Sequence, residues 1–145
     1  MRITNEIYKA IPSKSTTIVQ LIHLFMDAYP TYKYRFTSQE NEMPSNDFTL
    51  VLEIKGTVIA FENHSYSRKE SEIRIQSLLN QHNPHLLICA CEAAGESVDA
   101  IIHITASKSY EILKMPVYYS KNSNPFLHRS KAEQLKEVIT KMQLI

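Results

Sequence analysis

The chain has 145 residues, 43% of them hydrophobic and 21% charged, which is the size and make-up of one folded domain and too apolar for a disordered chain. Only two glycines occur, where average usage of about 7% would give roughly ten; no GxGxxG turn or GxxxxGK(S/T) loop is present, which excludes dinucleotide-binding and P-loop functions. Net charge is +1, divided as nine Lys/Arg against twelve Asp/Glu over residues 1–107 and seven against three over residues 108–145, so the tail is the basic end.

The N-terminal MRITNEIYKAIPSK lacks a signal-peptide core, and no apolar run approaches the roughly 20 residues of a membrane span. A cytoplasmic protein without membrane association is expected. In chain order, residues 15–29 place Ile18, Leu21, Ile22 and Phe25 at helical spacing after a Ser/Thr cap, and Pro30 stops them. Residues 31–36 alternate aromatic and basic side chains as a strand does, and a polar loop follows to Asn46. YPTYKYRF also mixes rings with cations as single-strand binders do. Strand patterning favours the plainer alternative, aromatics inward with Lys33 and Arg35 outward.

Residues 47–63, DFTLVLEIKGTVIAFEN, read as two strands joined at Lys55-Gly56, with Phe48, Leu50, Leu52, Ile54, Ile59 and Phe61 on one face. Burial of that face, about 1.5–3 kcal/mol per large apolar side chain, makes this hairpin the centre of the core. Residues 67–81 open with the capping box Ser67 to Glu70 and carry Ile75, Leu78 and Leu79 on an apolar stripe, predicting a second helix that Asn83-Pro84 ends. His82 and His85 read as loop histidines. HLLICACE, residues 85–92, is a strand buried on both faces, in which Cys89 and Cys91 act as small hydrophobes. Residues 97–114 are ambiguous between helix and strand, residues 117–119 suggest a short strand, and residues 121–129 a polar loop. An amphipathic helix over about 130–142 closes the chain, with Leu135, Val138, Ile139 and Met142 inward. The whole is expected to be α/β, a central mixed sheet flanked by helices, in a single domain.

If Lys55 and Gly56 are the two loop residues, partners across the ladder have numbers that sum to 111, and Asp47 stands opposite His64. Asp47, Glu62 and His64 then gather at the open end of the hairpin on the face opposite the apolar one. Directly opposed Cβ atoms lie about 4.5–5.5 Å apart, so the two carboxylates could share a divalent cation. The plainer alternatives are a loop-capping Asp47 and a solvated hairpin face.

The run PSNDFTLVLEIKGTVIAFENHSYSRKESEIRIQSLLNQ followed by HLLICACE resembles the core of the PD-(D/E)XK nuclease superfamily, especially its small VRR-NUC-type and junction-resolvase-like members. In that family an Asp opens one strand, a (D/E)-x-K motif closes the next, and a helix carrying a Gln leads to another strand. Asp47 matches the motif Asp, Glu62 the motif acid, His64 the Lys position and Gln76 the helix Gln. Pro44 lies three residues ahead of Asp47 instead of beside it, and the first helix offers Gln20 and Asp27 where the family often carries a further acid; Glu6, in a helical turn before Pro12, is a substitute. Glu53-Ile54-Lys55 is a literal E-x-K, but it falls at the tight-turn end, far from a second carboxylate.

The resemblance implies a restriction-endonuclease-like core over about residues 15–92, followed by a basic C-terminal segment, residues 108–145. It implies a nuclease that hydrolyses phosphodiester bonds in DNA rather than RNA, with Mg²⁺ or Mn²⁺ held by Asp47, Glu62 and the backbone carbonyl of Asn63. His64 would accept a proton or act as a cation on the phosphate. Gln76, Arg68 and Arg74 would orient substrate, and a homodimer is expected. Independently of the resemblance, Lys33 and Arg35 of the ring-and-cation segment are candidate nucleic-acid contacts, and the loop with Lys121, His128, Arg129 and Lys131 could contact phosphates, a solvated basic loop being the plainer alternative. The alternative from another class is a catalytically inactive nucleic-acid- or protein-binding module, of inhibitor type, on the same fold. A third reading is an unrelated α/β protein whose acidic hairpin end is accidental.

Overall fold

The computed structural model describes residues 9–13, 15–37, 48–63, 68–90, 103–104, 107–108, 110–112, 125–142 and 145. Six strands, β1 (Lys9–Ser13), β2 (Lys33–Thr37), β3 (Phe48–Ile54), β4 (Thr57–Asn63), β5 (Leu86–Ala90) and β6 (Glu111–Ile112), form one sheet in the order β2-β3-β4-β5-β1-β6. The helices are α1 (Ser15–Ala28), α2 (Arg68–His82) and α3 (Pro125–Lys141). β2, β3 and β4 run antiparallel, whereas β4, β5, β1 and β6 are parallel neighbours. The architecture is α/β, with a mixed sheet flanked by helices.

The turn sets the centre of this sheet. Lys55 and Gly56 both take positive φ, 51° and 81°, the backbone that a two-residue hairpin turn needs for its twist to match the strands. A Cβ at Gly56 would meet nothing within 4 Å, so glycine is required there for its conformation, not for space. The ladder runs from Ile54↔Thr57 to Phe48↔Asn63, every pair summing to 111 as the sequence predicts.

That register divides the side chains between two cores. Phe48, Leu50, Leu52, Ile54, Ile59 and Phe61 pack with Leu86 and Ile88 beneath Ile18, Leu21, Ile22 and Phe25 of α1 and Ala132, Leu135 and Ile139 of α3. Val51, Val58, Ala60, Leu87 and Cys89 meet Ile75, Leu78 and Leu79 of α2 on the opposite face. Both faces of β3 and β4 are therefore covered, so the second face is a core and not a solvated hairpin face. β5 is likewise buried from Leu86 to Cys89, as its apolar run predicts; Cys91 lies outside the described residues.

The helices end where local chemistry stops them. Tyr29 donates its N–H to the Phe25 carbonyl at 2.8 Å just before Pro30. Asn83 takes φ 44° and donates to the Leu79 carbonyl at 3.0 Å, a left-handed cap for α2 that Pro84 makes final. α3 begins at Pro125, five residues earlier than amphipathicity alone indicates, so residues 125–129 are helix and not polar loop. Proline is favoured in the first helical turn because its missing N–H has no partner there in any case.

Two other segments differ from the sequence reading. Residues 9–13 form strand β1 where a helical turn before Pro12 is expected; Glu6 is outside the described residues. Among the described residues β6 pairs only with Lys9 and Ala10, so no described neighbour on that side pairs with Pro12, which has no N–H to give. β2 is exposed along its whole length, its aromatics included, and is the sheet edge. The 117–119 strand and the Ser67 capping residue lie outside the described residues.

Phe61 has no exposed surface and sits 6.3 Å, centroid to centroid, from the Phe25 ring. Phe61→Ala is expected to cost about 3–5 kcal/mol, and Gly56→Ala about 1–2 kcal/mol through its left-handed backbone, both read by urea denaturation. Equal costs at the two sites would contradict this division between packing and turn.

Candidate functional site

Glu62 is the buried acid in the covered face of the central hairpin. Alternation along β4 sends Val58, Ala60 and Glu62 toward α2, and the ladder sets Thr49 directly opposite Glu62. On its other side Glu62 pairs with Cys89 of the parallel strand β5. Glu62 and Thr49 each retain only 6% exposure. Thr49 donates its hydroxyl to Glu62 Oε2 at 2.6 Å, the short separation of a charge-assisted O–H···O⁻ bond. A buried carboxylate is costly unless such donors meet it, and this one fixes the carboxylate's orientation.

Glu62 forms part of the floor of a cleft of about 270 Å³ between the β2–β3–β4 surface and α2. Thr49 and Leu78 complete the buried floor, and His82 is a half-buried wall. The rim is exposed: Phe36 from β2 on one side, and Ile73, Arg74, Ser77 and Gln81 from α2 on the other. These α2 positions recur at intervals of four, 73/77/81 and 74/78/82, and so form one continuous stripe.

Phe36 reaches this face through an irregularity. Lys33 and Tyr34 pair with Glu53 and Leu52, but Phe36 and Thr37 pair with Val51 and Leu50, leaving Arg35 as an extra residue. Tyr34, opposite Leu52, thus falls on the α1 face, where its ring meets Tyr32 edge-on at 5.5 Å. Phe36, opposite Val51, falls on the α2 face, where its ring lies 5.5 Å from that of His82. The aromatics of β2 are consequently neither all inward nor on one face: Tyr34 is 41% and Phe36 43% exposed.

The residues singled out by sequence separate into groups. Glu62 and Arg74 come together at the cleft, and Asn63, buried, follows Glu62 at the end of β4. Asp47 and His64 lie outside the described residues, which begin and end this ladder at Phe48↔Asn63. Gln76 is exposed on α2 but is not among the cleft-lining residues; Gln81 is. Arg68 opens α2. Lys33 and Arg35 are exposed on the edge strand, where Arg35 is hydrogen-bonded and ion-paired to Glu53. Arg129 and Lys131 belong to α3, across the sheet from the cleft; the Arg129 side chain reaches Glu133 at 3.3 Å and Gln20 of α1 at 3.5 Å, and burial lowers the Lys131 pKa.

Other polar groups have structural duties. His82 ends α2 as part of the cleft wall, not in a loop. His85 is tied to β4 by two bonds: its N–H donates to the Val58 carbonyl at 2.9 Å, and the Val58 N–H donates to Nδ1 at 3.1 Å. Glu53 of the literal E-x-K is engaged by Arg35, and Lys55 Nζ lies 5.0 Å from the centre of the Tyr29 ring. Thr49, Ile73, Ser77, Gln81 and His82 are cleft residues to which sequence reasoning assigned no site role, and Phe36, although part of the ring-and-cation segment, owes its place over α2 to the bulge. The i, i+4 stripe on α2 was available as a signal, whereas the bulge was not.

Among the described residues no group of three His, Cys, Asp or Glu side chains is placed to hold a metal ion. The Glu62 carboxylate and the Asn63 carbonyl are hard oxygen donors of the kind Mg²⁺ and Mn²⁺ take, and the burial of Glu62 suits a dry ligand site. Among the described residues no helix is long and apolar enough to cross a membrane. No protein-family model, curated protein or solved structure matches the chain.

Two measurements check this electrostatic picture. Thr49→Val removes a hydrogen bond to a buried carboxylate at nearly constant volume and is expected to destabilise the fold by about 1.5–3 kcal/mol; a thermal melt indistinguishable from the parent would show that the bond contributes nothing. The Arg35 hydrogen bond holds the Glu53 carboxyl below the usual carboxylate range, with smaller contributions from the charges of Arg35 and Lys33. A lowered folded value stabilises above the unfolded value, about pH 4.3, and that contribution is lost as pH falls through the folded value. Melting temperature followed from pH 6 to 3 is therefore expected to fall less steeply in Glu53→Gln than in the parent chain, by a small margin for so exposed a pair.

Proposed function

We propose that the chain is a metal-dependent nuclease hydrolysing phosphodiester bonds in DNA, a cytoplasmic enzyme on a restriction-endonuclease-like core. The observation that carries this reading is the buried, hydroxyl-oriented carboxylate of Glu62 on the floor of a cleft with Arg74 at its rim. The element order adds support: a helix, three antiparallel strands, a helix and a parallel strand, with Glu62 next to the last residue of the third strand.

Mg²⁺ or Mn²⁺ would be held by Glu62, the Asn63 backbone carbonyl and Asp47; when bound it supplies charge to polarise the phosphate and acidifies a water. Thr49 keeps the Glu62 carboxylate in one orientation, the role that hydrogen-bonding partners of ligands perform at such sites. Arg74, exposed at the rim, attracts the phosphate backbone. His64 takes the part of the family lysine, as proton acceptor or cation on the phosphate. Gln76 and Arg68 orient substrate from the same helix, and a second copy of the chain would attack the other strand.

The test combines stability with cleavage. Mn²⁺ is expected to raise the melting temperature, by an amount that grows with the logarithm of its concentration above Kd, and to support cleavage of single-stranded, duplex or branched DNA. Glu62→Gln is expected to abolish both effects, Thr49→Val to slow cleavage about 10- to 100-fold, and Glu53→Gln to leave it unchanged. DNA or protein binding with neither metal stabilisation nor cleavage would instead identify a catalytically inactive binding module.

A further inference from the structure

We propose that the cleft over Glu62 seats a single unpaired nucleobase against the Phe36 ring, so that the preferred substrate presents an unstacked nucleotide beside the scissile phosphate. This deepens the nuclease reading and rests on it for the position of the phosphate. Among the described residues four large hydrophobic side chains are exposed, Tyr34, Phe36, Ile73 and Met142, and two of them, Phe36 and Ile73, stand on opposite sides of this one cleft. Scattered exposed apolar residues are ordinary; convergence on a concave site is not.

Phe36 offers a face of the kind on which bases stack, and the neighbouring His82 ring, tilted 41° from it, extends the aromatic wall. The cleft, about 270 Å³, falls just under the roughly 300 Å³ lower end of ligand pockets, room for one ring system and little more. Its chemistry narrows the occupant. A carboxylate in the floor disfavours a hydrocarbon chain, and Ser77 and Gln81 provide hydroxyl and amide groups suited to the edge of a flat heterocycle. Arg74 on the same rim fits the phosphate that follows the base. A base held in an intact duplex cannot enter without leaving its stack. Single-stranded or branched DNA should therefore be preferred.

The chain has no Trp, so Phe36→Trp creates a single reporter inside the cleft. In EDTA, an oligothymidylate is expected to quench that reporter, whereas the matched duplex leaves it unchanged. Conversely, a single-stranded oligonucleotide carrying 2-aminopurine is expected to be quenched by the parent chain and to bind Phe36→Ala about five- to 100-fold more weakly. Phe36→Leu, which keeps apolar bulk but no ring, should lose the quench as fully. An unquenched reporter, or Phe36→Ala binding as tightly as the parent, overturns the proposal. Mn²⁺-dependent cleavage that is abolished by Glu62→Gln but indifferent to Phe36 leaves the nuclease reading standing and sinks the base seat. A base seat in a chain without metal-dependent cleavage does the reverse.

Discussion

The two-residue turn at Lys55-Gly56 constrains the rest of the molecule. Its positive φ values admit one register between β3 and β4, and in a sheet covered on both faces a one-residue slip between these strands would exchange the two sets of side chains in one of them. Phe48, Leu50 and Leu52 would then point at α2, or Phe61 and Ile59 would, and neither core cluster could close. The same register puts Thr49 across from Glu62 and points both at α2. Core and candidate site are thus fixed together by two backbone conformations at the end of the hairpin opposite Glu62.

A carboxylate inside a covered sheet face runs against the hydrophobic logic of the surrounding residues. Val51, Val58, Ala60 and Leu87 share its face and are buried with it. Replacing Glu62 by an apolar residue of similar size would remove the desolvation cost without disturbing the ladder, and buried polar groups are often neutral or unfavourable for stability. The Thr49 hydroxyl offsets part of that cost. Local violations of core logic concentrate where a fold carries function, and here the violation coincides with the cleft between the antiparallel hairpin and the crossover helix α2. Glu53 provides the contrast: also acidic and on the same strand pair, it is met by Arg35 at the surface, an arrangement that edge strands commonly use to discourage further pairing.

What the sequence revealed follows from which signals are local. The hairpin and its register were legible because period-two alternation and a Lys-Gly turn are written in adjacent residues. α1 and α2 were legible because caps and breakers bracket them. β1 was not, since a five-residue strand containing Pro12 has no alternation to read, and its place depends on β5, far along the chain. The start of α3 was hidden because a polar stretch opening on Pro125 satisfies the description of a loop as well as that of a first helical turn. The burial of Glu62 was hidden too, since Thr49, Glu53 and Glu62 made their face look wet until α2 covered it. At β2 the alternation of rings and cations was plain, but the extra residue at Arg35 is a property of the pairing with β3 and leaves no mark in β2 alone.

That bulge decides what the sheet edge can do. In a regular strand Tyr34 and Phe36 would share one face, the α1 side, and the cleft over Glu62 would have only α2 on its rim. One unpaired residue turns Phe36 through the sheet, brings its ring to His82 and gives the cleft an aromatic wall opposite Arg74 and Gln81. The bulge also interrupts the hydrogen-bonding edge that a further strand would need. The edge is thereby less suited to binding through its backbone and better suited to binding through its side chains. The exposure of Phe36 therefore follows from how β2 joins the sheet.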